Sequence, residues 1–388
     1  MRKKKLAPGI LKIQLLILIS YSSITVLTLL SIFFEHLGGS PRQIGFLMGL
    51  FAFAAFLSRP FAGWLLSQFN PRGVMIAGLT LMLVVASLHP FIQELNWFVV
   101  FIRIFHGLGF SVFVLAALLI TINLSHEEER AYALGVVSTG FMIPLLVFPF
   151  LGEEIIRRFG FFAFFLSAIF LSVIPFVYAF FVKLNIPGFS EDSEVKSVGF
   201  LSLLKQKKIK LILFLAVIFE IGLSSCLAFV PLLAIGESPL RAGYYYTFLA
   251  LSAVFVRVIG GSQLRFWGSP KLLLPAFCLI SGGGLLISLS FSNVVLGISG
   301  VIYGIGIGIL YPHLSALIVK GITSRERGKV LSLFASSVDL GFALGPLLFG
   351  WIYQSIGIRP SFALISAFVF LSSISFILLG RLGSHLNI

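Results

Sequence analysis

Ionisable side chains inside long apolar stretches are the residues of this sequence that could do chemistry. Glu220 and Asp339 are the two acids near the middle of such stretches. A carboxyl group surrounded by apolar residues can bind and release a proton. Its burial costs free energy, so an acid found there is a candidate functional residue. The alternative for both residues is a structural ion pair. Arg59, Arg103 and Arg257 are the arginines inside apolar stretches.

The elements that carry these residues are apolar enough to cross a bilayer. The 388 residues are 58% hydrophobic and 11% charged, with a mean hydropathy of +1.08, whereas soluble domains carry about a quarter charged residues. At about 20 residues per bilayer crossing, the sequence predicts an all-α membrane protein with twelve transmembrane helices. The predicted spans are 11–34, 43–66, 73–91, 97–121, 131–152, 161–182, 211–235, 241–264, 272–291, 294–319, 330–353 and 361–380.

Depth within the spans separates the basic residues. Arg59 and Arg257 lie about eight residues, or ~12 Å, from the same end of their spans, so we expect them at a gate on that side of the membrane. The alternative is that their head groups only extend to the membrane surface. Arg103 has His106 one turn away on the same helix face. His106 and His313 either carry protons or are hydrogen-bonded packing residues.

The net charge of +14 could indicate a nucleic-acid partner, but the basic residues lie between the apolar runs and form no single face. If the N-terminus is inside, only Arg42, Arg157, Arg158, Arg241 and Arg359 face outward among the loop Lys and Arg residues. Basic residues concentrate in cytoplasmic loops, so we expect both termini in the cytoplasm, contact of the N-terminal basic residues with anionic lipid, and no nucleic-acid partner. A monomer in a bacterial inner membrane is the expected setting.

An internal repeat divides the chain into two halves. A shift of about 198 residues places Ser40–Gly45 on Ser238–Gly243 and Arg59 on Arg257, and a shift of 197 places His106–Gly109 on Tyr303–Gly306 and Gly160 on Gly357. The polar segment 183–210 separates the halves. The repeat predicts two pseudo-symmetric six-helix bundles, 1–182 and 211–388, joined by a cytoplasmic linker at 183–210.

Several motifs resemble those of the major facilitator superfamily, in particular its drug/proton antiporter branch. Arg103, Gly107 and Gly109 fit the helix 4 signature RxxxGxG. The segment GWLLSQFNPR (63–72) departs from the signature of loop 2/3, with Ser67 where the family has Asp. The glycine-proline motif that bends helix 5 is present in part in the first half and more completely in the second. Its matching positions are Gly135, Pro149, Gly152, Gly341, Gly345 and Pro346.

The resemblance implies that helices 1, 4, 7 and 10 line a central cavity. It also implies that helix 2 faces helix 11, which puts Arg59 and Asp339 at compatible depths for an ion pair, whereas Arg257 has no such acid. The side chains available at cavity depth are those of Tyr21, Ser22, Thr25, Arg103, His106, Glu220, Ser224, Ser225 and Tyr303.

The function that the resemblance implies is secondary transport by alternating access, with proton-coupled efflux of a small amphipathic or hydrophobic compound as the first hypothesis. Uptake or facilitated transport of a sugar, amino acid or organic anion is the second. A membrane receptor or lipid-handling protein without coupled transport is the third. The sequence has no HExxH motif, Walker loop or convincing nucleophile triad, so we expect no enzyme activity.

Cysteine and glycine patterns give no sign of a cofactor. Cys226 and Cys278 lie in apolar runs, which favours packing over a disulfide framework or metal site. The glycines of the run YGIGIGIL (303–310) lie within a span with no strand before them, so they indicate close helix packing and no nucleotide site.

Overall fold

The computed structural model describes residues 8–125, 129–182, 200–236, 240–261, 270–322 and 324–382. Within them every regular element is helical, as expected of a chain whose backbone polar groups must be satisfied inside lipid. The α-helices are α1 (Pro8–Val26), α2 (Leu30–His36), α3 (Pro41–Gln68), α4 (Pro71–Leu88), α5 (Trp97–Asn123), α6 (Arg130–Ser138), α7 (Phe148–Phe181), α8 (Phe200–Lys205), α9 (Lys207–Gly236), α10 (Ala242–Gly261), α11 (Leu273–Ser288), α12 (Asn293–Val319), α13 (Ser324–Ile356) and α14 (Ile358–Leu382).

The described residues account for the predicted spans, and the all-α membrane fold is confirmed. Nine helical segments are long and apolar enough to cross a membrane, and one of them, Ala133–Phe181, has 49 residues and contains two predicted spans. The shorter apolar helices Ala242–Val258 and Leu273–Ser288 match two more. Residues 183–199 of the predicted linker lie outside the described residues.

Contacts divide the chain into two compact units. Unit 1 contains the described residues of Met1–Leu37 and Leu50–Asp192, and unit 2 contains those of Gly38–Gly49 and Ser193–Ile388. The start of α3 belongs to unit 2 because a Cβ on Gly45 or Gly49 would collide with backbone carbonyls of α13. The predicted division at 183–210 stays a prediction.

Each unit is held by close helix pairs. In unit 1, α4 packs on α5, and α1 packs on α7. In unit 2, α9 packs on α13 and α14, while α12 packs on α10 and α11. Helix α9 is buried along most of its length, which makes it the central helix of its unit.

Equivalent glycines make equivalent contacts in the two units, as the internal repeat requires. A Cβ on Gly107 would collide with the carbonyl oxygen of Phe51, and a Cβ on Gly304 would collide with that of Leu249. Gly304 follows Gly107 by 197 residues, and Leu249 follows Phe51 by 198 residues. These glycines let helix backbones approach closely, which confirms the packing role predicted for the run at 303–310.

Gly109 and Gly306, the next glycines of the two motifs, also make equivalent contacts in the two units. A Cβ on Gly109 would lie 3.2 Å from the carbonyl oxygen of Gly78, and a Cβ on Gly306 would lie 3.0 Å from that of Ala276. Gly160 and Gly357 also correspond, since both have positive φ, 76° and 86°. This left-handed conformation favours glycine and lets the chain turn between consecutive spans.

The helix bend differs from the sequence expectation. The second half matches the glycine-proline motif more completely, yet α13 stays helical through Pro346. In the first half, α6 ends at Ser138 and two 3-10 turns precede α7. The reason is an additional proline, Pro144, within the second of these turns. A proline lacks the N–H that an α-helix needs and clashes with the preceding turn.

Candidate functional site

Glu220 lies in the interior of unit 2 on its central helix, α9, with 3% of its surface exposed. Helix α9 contacts α10, α12 and α13, which carry Arg257, Tyr303 and Asp339. Three other sequence-predicted site residues therefore lie on helices that pack against the helix of Glu220.

Close packing of α9 on α13 fixes the position of Glu220. A Cβ on Gly341 would lie 2.7 Å from Glu220 Cβ and 2.5 Å from the carbonyl oxygen of Val217. One turn along, a Cβ on Gly345 would lie 2.5 Å from the carbonyl oxygen of Ile221. The two motif glycines thus leave no room for movement of α9 toward α13.

Ser224 joins the same two helices by hydrogen bonds. Its hydroxyl donates to the carbonyl oxygen of Glu220 at 2.7 Å and lies 3.4 Å from that of Gly341. Ser225 donates to the carbonyl oxygen of Ile221 at 2.7 Å. Both hydroxyls are satisfied by backbone, so neither is directed at the Glu220 carboxylate.

Arg257 is half-buried on α10. Its expected place at a gate, without an acid equivalent to Asp339, stays a prediction. Its guanidinium carbon lies 5.7 Å from the ring centroid of Tyr311.

In unit 1, Arg103 and His106 of α5 are both buried and share one aromatic neighbour. The Arg103 guanidinium carbon lies 5.2 Å from the centroid of the Phe51 ring, and the His106 ring is also 5.2 Å from it. A cation is attracted to the face of an aromatic ring. The predicted placement of both residues on one helix face is therefore confirmed.

Aromatic contacts extend this group to α1. The ring centroids of Phe51 and Phe110 are 5.4 Å apart, and those of Phe110 and Tyr21 are 6.1 Å apart. Thr25 is buried one turn beyond Tyr21 and donates its hydroxyl to the carbonyl oxygens of Tyr21 and Ser22. The first unit thus joins four predicted residues, counting Arg103 and His106, through two phenylalanines that the sequence did not single out.

Two buried ionisable residues of unit 1 were missed. The ring of His89 lies 5.9 Å from that of His106, and its Nδ1 is 2.9 Å from the carbonyl oxygen of Val85. Glu153 is buried on α7. The sequence contained a signal for each of them. His89 lies next to Pro90 inside a predicted span, and Glu153 lies one residue beyond the end of another.

The remaining predicted residues lie outside these two groups of side chains. Arg59 is half-buried on α3, and its expected pair with Asp339 stays a prediction. A Cβ on Gly135 would meet no atom within 4 Å, whereas one on Gly152 would lie 2.9 Å from Leu29 Cδ1. Pro149, next to Gly152, is buried near the start of α7.

Neither cysteine has a partner sulfur and no metal-ligand cluster is found among the described residues. Cys226 is buried and Cys278 is exposed. Groups of three or more His, Cys, Asp or Glu side chains that could hold a metal do not occur in the described part of the chain.

Comparisons with known proteins agree with this fold. The model of the Major Facilitator Superfamily matches residues 13–325 and 267–385. The chain is similar to the multi-drug resistance efflux pump PmrA of Streptococcus pneumoniae, with 27% identity over 340 residues that cover 83% of each chain. It is also similar to the staphylopine export protein of Staphylococcus aureus, with 23% identity over 368 residues that cover 92% of each chain.

A solved structure agrees as well. The fold matches the crystal structure of the nucleoside transporter NupG with a TM-score of 0.78 and 13% identity, over 97% of this chain and 100% of that chain. The family match covers most of the sequence, and the fold match covers both predicted halves. The chain is an integral membrane protein and belongs to the major facilitator superfamily of transporters.

Proposed function

We propose that this transporter exports a small amphipathic or hydrophobic compound in exchange for protons, with Glu220 as the group that binds the coupling proton. The observation that carries the proposal is that Glu220, the only acid on helix α9, is buried in the interior of unit 2. The printed functions of two relatives, multi-drug efflux and staphylopine export, support the direction of transport.

The charges around Glu220 suit an exchange of cations. In this proposal, the cation Arg257 stabilises the ionised carboxylate, while the acid Asp339 opposes it. A buried carboxylate needs a compensating cation or hydrogen bond, and a bound proton or a cationic substrate can each provide this compensation. Because both neutralise the same group, binding of one favours release of the other. Alternating access then carries them in opposite directions.

Glu220→Gln tests the proposal because glutamine keeps the size and hydrogen-bonding capacity of the side chain but cannot titrate. In proteoliposomes that hold tetraphenylphosphonium, a lipophilic monocation, the variant should lose transport driven by an imposed pH gradient. Exchange of labelled for unlabelled compound without a gradient should persist. The matched control is Glu94→Gln, because Glu94 is exposed outside the predicted spans.

Two outcomes would reject the proposal. Gradient-driven accumulation by Glu220→Gln equal to that of the parent would show that Glu220 has a structural role only. Accumulation by the parent that does not respond to a pH gradient would show that protons are not coupled at all.

An organic anion is the second candidate substrate, because unit 1 gathers Arg103, His89 and His106 in one buried cluster. The buried guanidinium of such a cluster is suited to binding a carboxylate or phosphate, and an imidazole N–H can donate a further hydrogen bond. Under this hypothesis an organic anion such as p-aminohippurate should compete for transport, and Arg103→Gln should weaken that competition more than Glu220→Gln does.

A further inference from the structure

A cavity of about 10 Å³ lies inside unit 2 where α9, α11, α12 and α14 meet. Its wall includes Gly222 and Cys226 of α9, Ser281 of α11, Tyr303 of α12 and Ser366 of α14. This volume is about the smallest that holds one water molecule, and water occupies such a cavity only when polar groups line it. The hydrogen bonding of the wall therefore decides what the cavity can bind.

Two hydroxyl groups of the wall have no hydrogen-bond partner in the protein. Tyr303 Oη and Ser281 Oγ are both enclosed and unpaired, in residues that are only 1% and 8% exposed. Buried polar groups almost always find a protein or water partner, because an unpaired one is costly. Two such groups on one small cavity indicate a shared partner.

Ser281 differs from neighbouring helical serines. Ser288 of the same helix donates to the carbonyl oxygen of Leu285 at 2.6 Å, and Ser366 donates to that of Phe362 at 2.7 Å. This backbone bond is the usual way for a buried helical serine to satisfy its hydroxyl. Ser281 makes no such bond, so its hydroxyl remains available to a molecule in the cavity.

Tyr303 also differs from a neighbouring tyrosine. Tyr246 donates to the carbonyl oxygen of Leu227 at 2.6 Å. The thiol of Cys226 lies beside the Tyr303 hydroxyl, but the geometry does not complete a hydrogen bond to that oxygen, and a thiol is only a weak donor and acceptor. The Tyr303 hydroxyl is therefore unsatisfied by protein.

We propose that this cavity binds one water molecule. The water accepts hydrogen bonds from Tyr303 and Ser281 and donates one to Ser366 Oγ, whose own proton is already directed at a carbonyl. Gly222 keeps the space open, since a Cβ there would lie 3.0 Å from Tyr303 Oη. The water would join α11, α12 and α14.

The sign of a stability change tests the water site. If water is bound, Ser281→Ala and Tyr303→Phe each remove a hydrogen bond, so each should lower the thermal unfolding midpoint of the detergent-purified full chain by about 2 °C. The double variant should lose less than the sum of the two, because both groups bind one molecule. Without water, each substitution removes an unpaired buried hydroxyl and should leave the midpoint unchanged or raise it.

Tyr246→Phe is the matched control, because it removes a direct hydrogen bond and should lower the midpoint in either case. A second readout does not depend on the variants. A density map of the parent chain that resolves ordered waters should show a peak within hydrogen-bonding distance of Tyr303 Oη and Ser281 Oγ. An unoccupied cavity in such a map, or midpoints that do not fall, would overturn the proposal. Neither readout measures transport, so both are independent of the role of Glu220.

Discussion

At the residue scale, two charged neighbours set the proton affinity of the proposed coupling group. Arg257 is a cation on a helix that contacts α9, so under this proposal Arg257→Gln should disfavour the ionised form of Glu220. Asp339 is an acid on α13, so Asp339→Asn should have the opposite effect. The pH of half-maximal transport should therefore shift upward in the first variant and downward in the second, as measured in proteoliposomes. Shifts in the same direction would contradict this arrangement.

The sequence identified Glu220, Asp339, Arg257 and Tyr303 separately but did not predict how they combine. An acid or a tyrosine inside an apolar run is visible without a structure, because its cost in lipid is large. How these residues lie relative to one another depends on which faces of α9 and its neighbouring helices meet, and the sequence does not specify that rotation. His89 and Glu153 escaped notice because each lies near a predicted span end, where boundaries are uncertain.

At the element scale, close packing of α9 on α13 should be necessary for transport. Gly341→Ala would place a Cβ 2.5 Å from the carbonyl oxygen of Val217, so the helices must separate and Glu220 must move. Overpacking of this kind costs about 1–3 kcal/mol. We expect lower thermal stability and strongly reduced transport. Gly282→Ala is the control, because a Cβ at that position of α11 would meet nothing within 4 Å, and it should leave both properties unchanged.

The helices were predictable because their apolar runs exceed the thickness of a bilayer. The helix break in the first half was not predicted, although Pro144 was visible in the sequence. The bend motif favours a bend in the second half, because Gly341, Gly345 and Pro346 match it well. The structure shows that an extra proline breaks the helix between Ser138 and Phe148, whereas good motif agreement leaves α13 unbroken.

At the scale of the whole molecule, the repeat and the distribution of basic residues together specify a topology that can be tested. We propose that both termini lie in the cytoplasm. A cysteine replacing Ser193, in the predicted linker outside the described residues, should not react with an impermeant maleimide added to intact cells. Gln93→Cys lies in an exposed loop that is predicted on the other face and should react. Reaction at Ser193→Cys above the background of the two native cysteines would reverse the topology.

Proton release on ligand binding tests the central claim most directly. Tetraphenylphosphonium added to the purified parent in weakly buffered solution should displace about one proton per bound cation, because both neutralise Glu220 in this account. Glu220→Gln should release none while still binding the probe, and Glu94→Gln should behave as the parent. Equal proton release from the parent and Glu220→Gln would contradict the account and place the coupling proton on another residue.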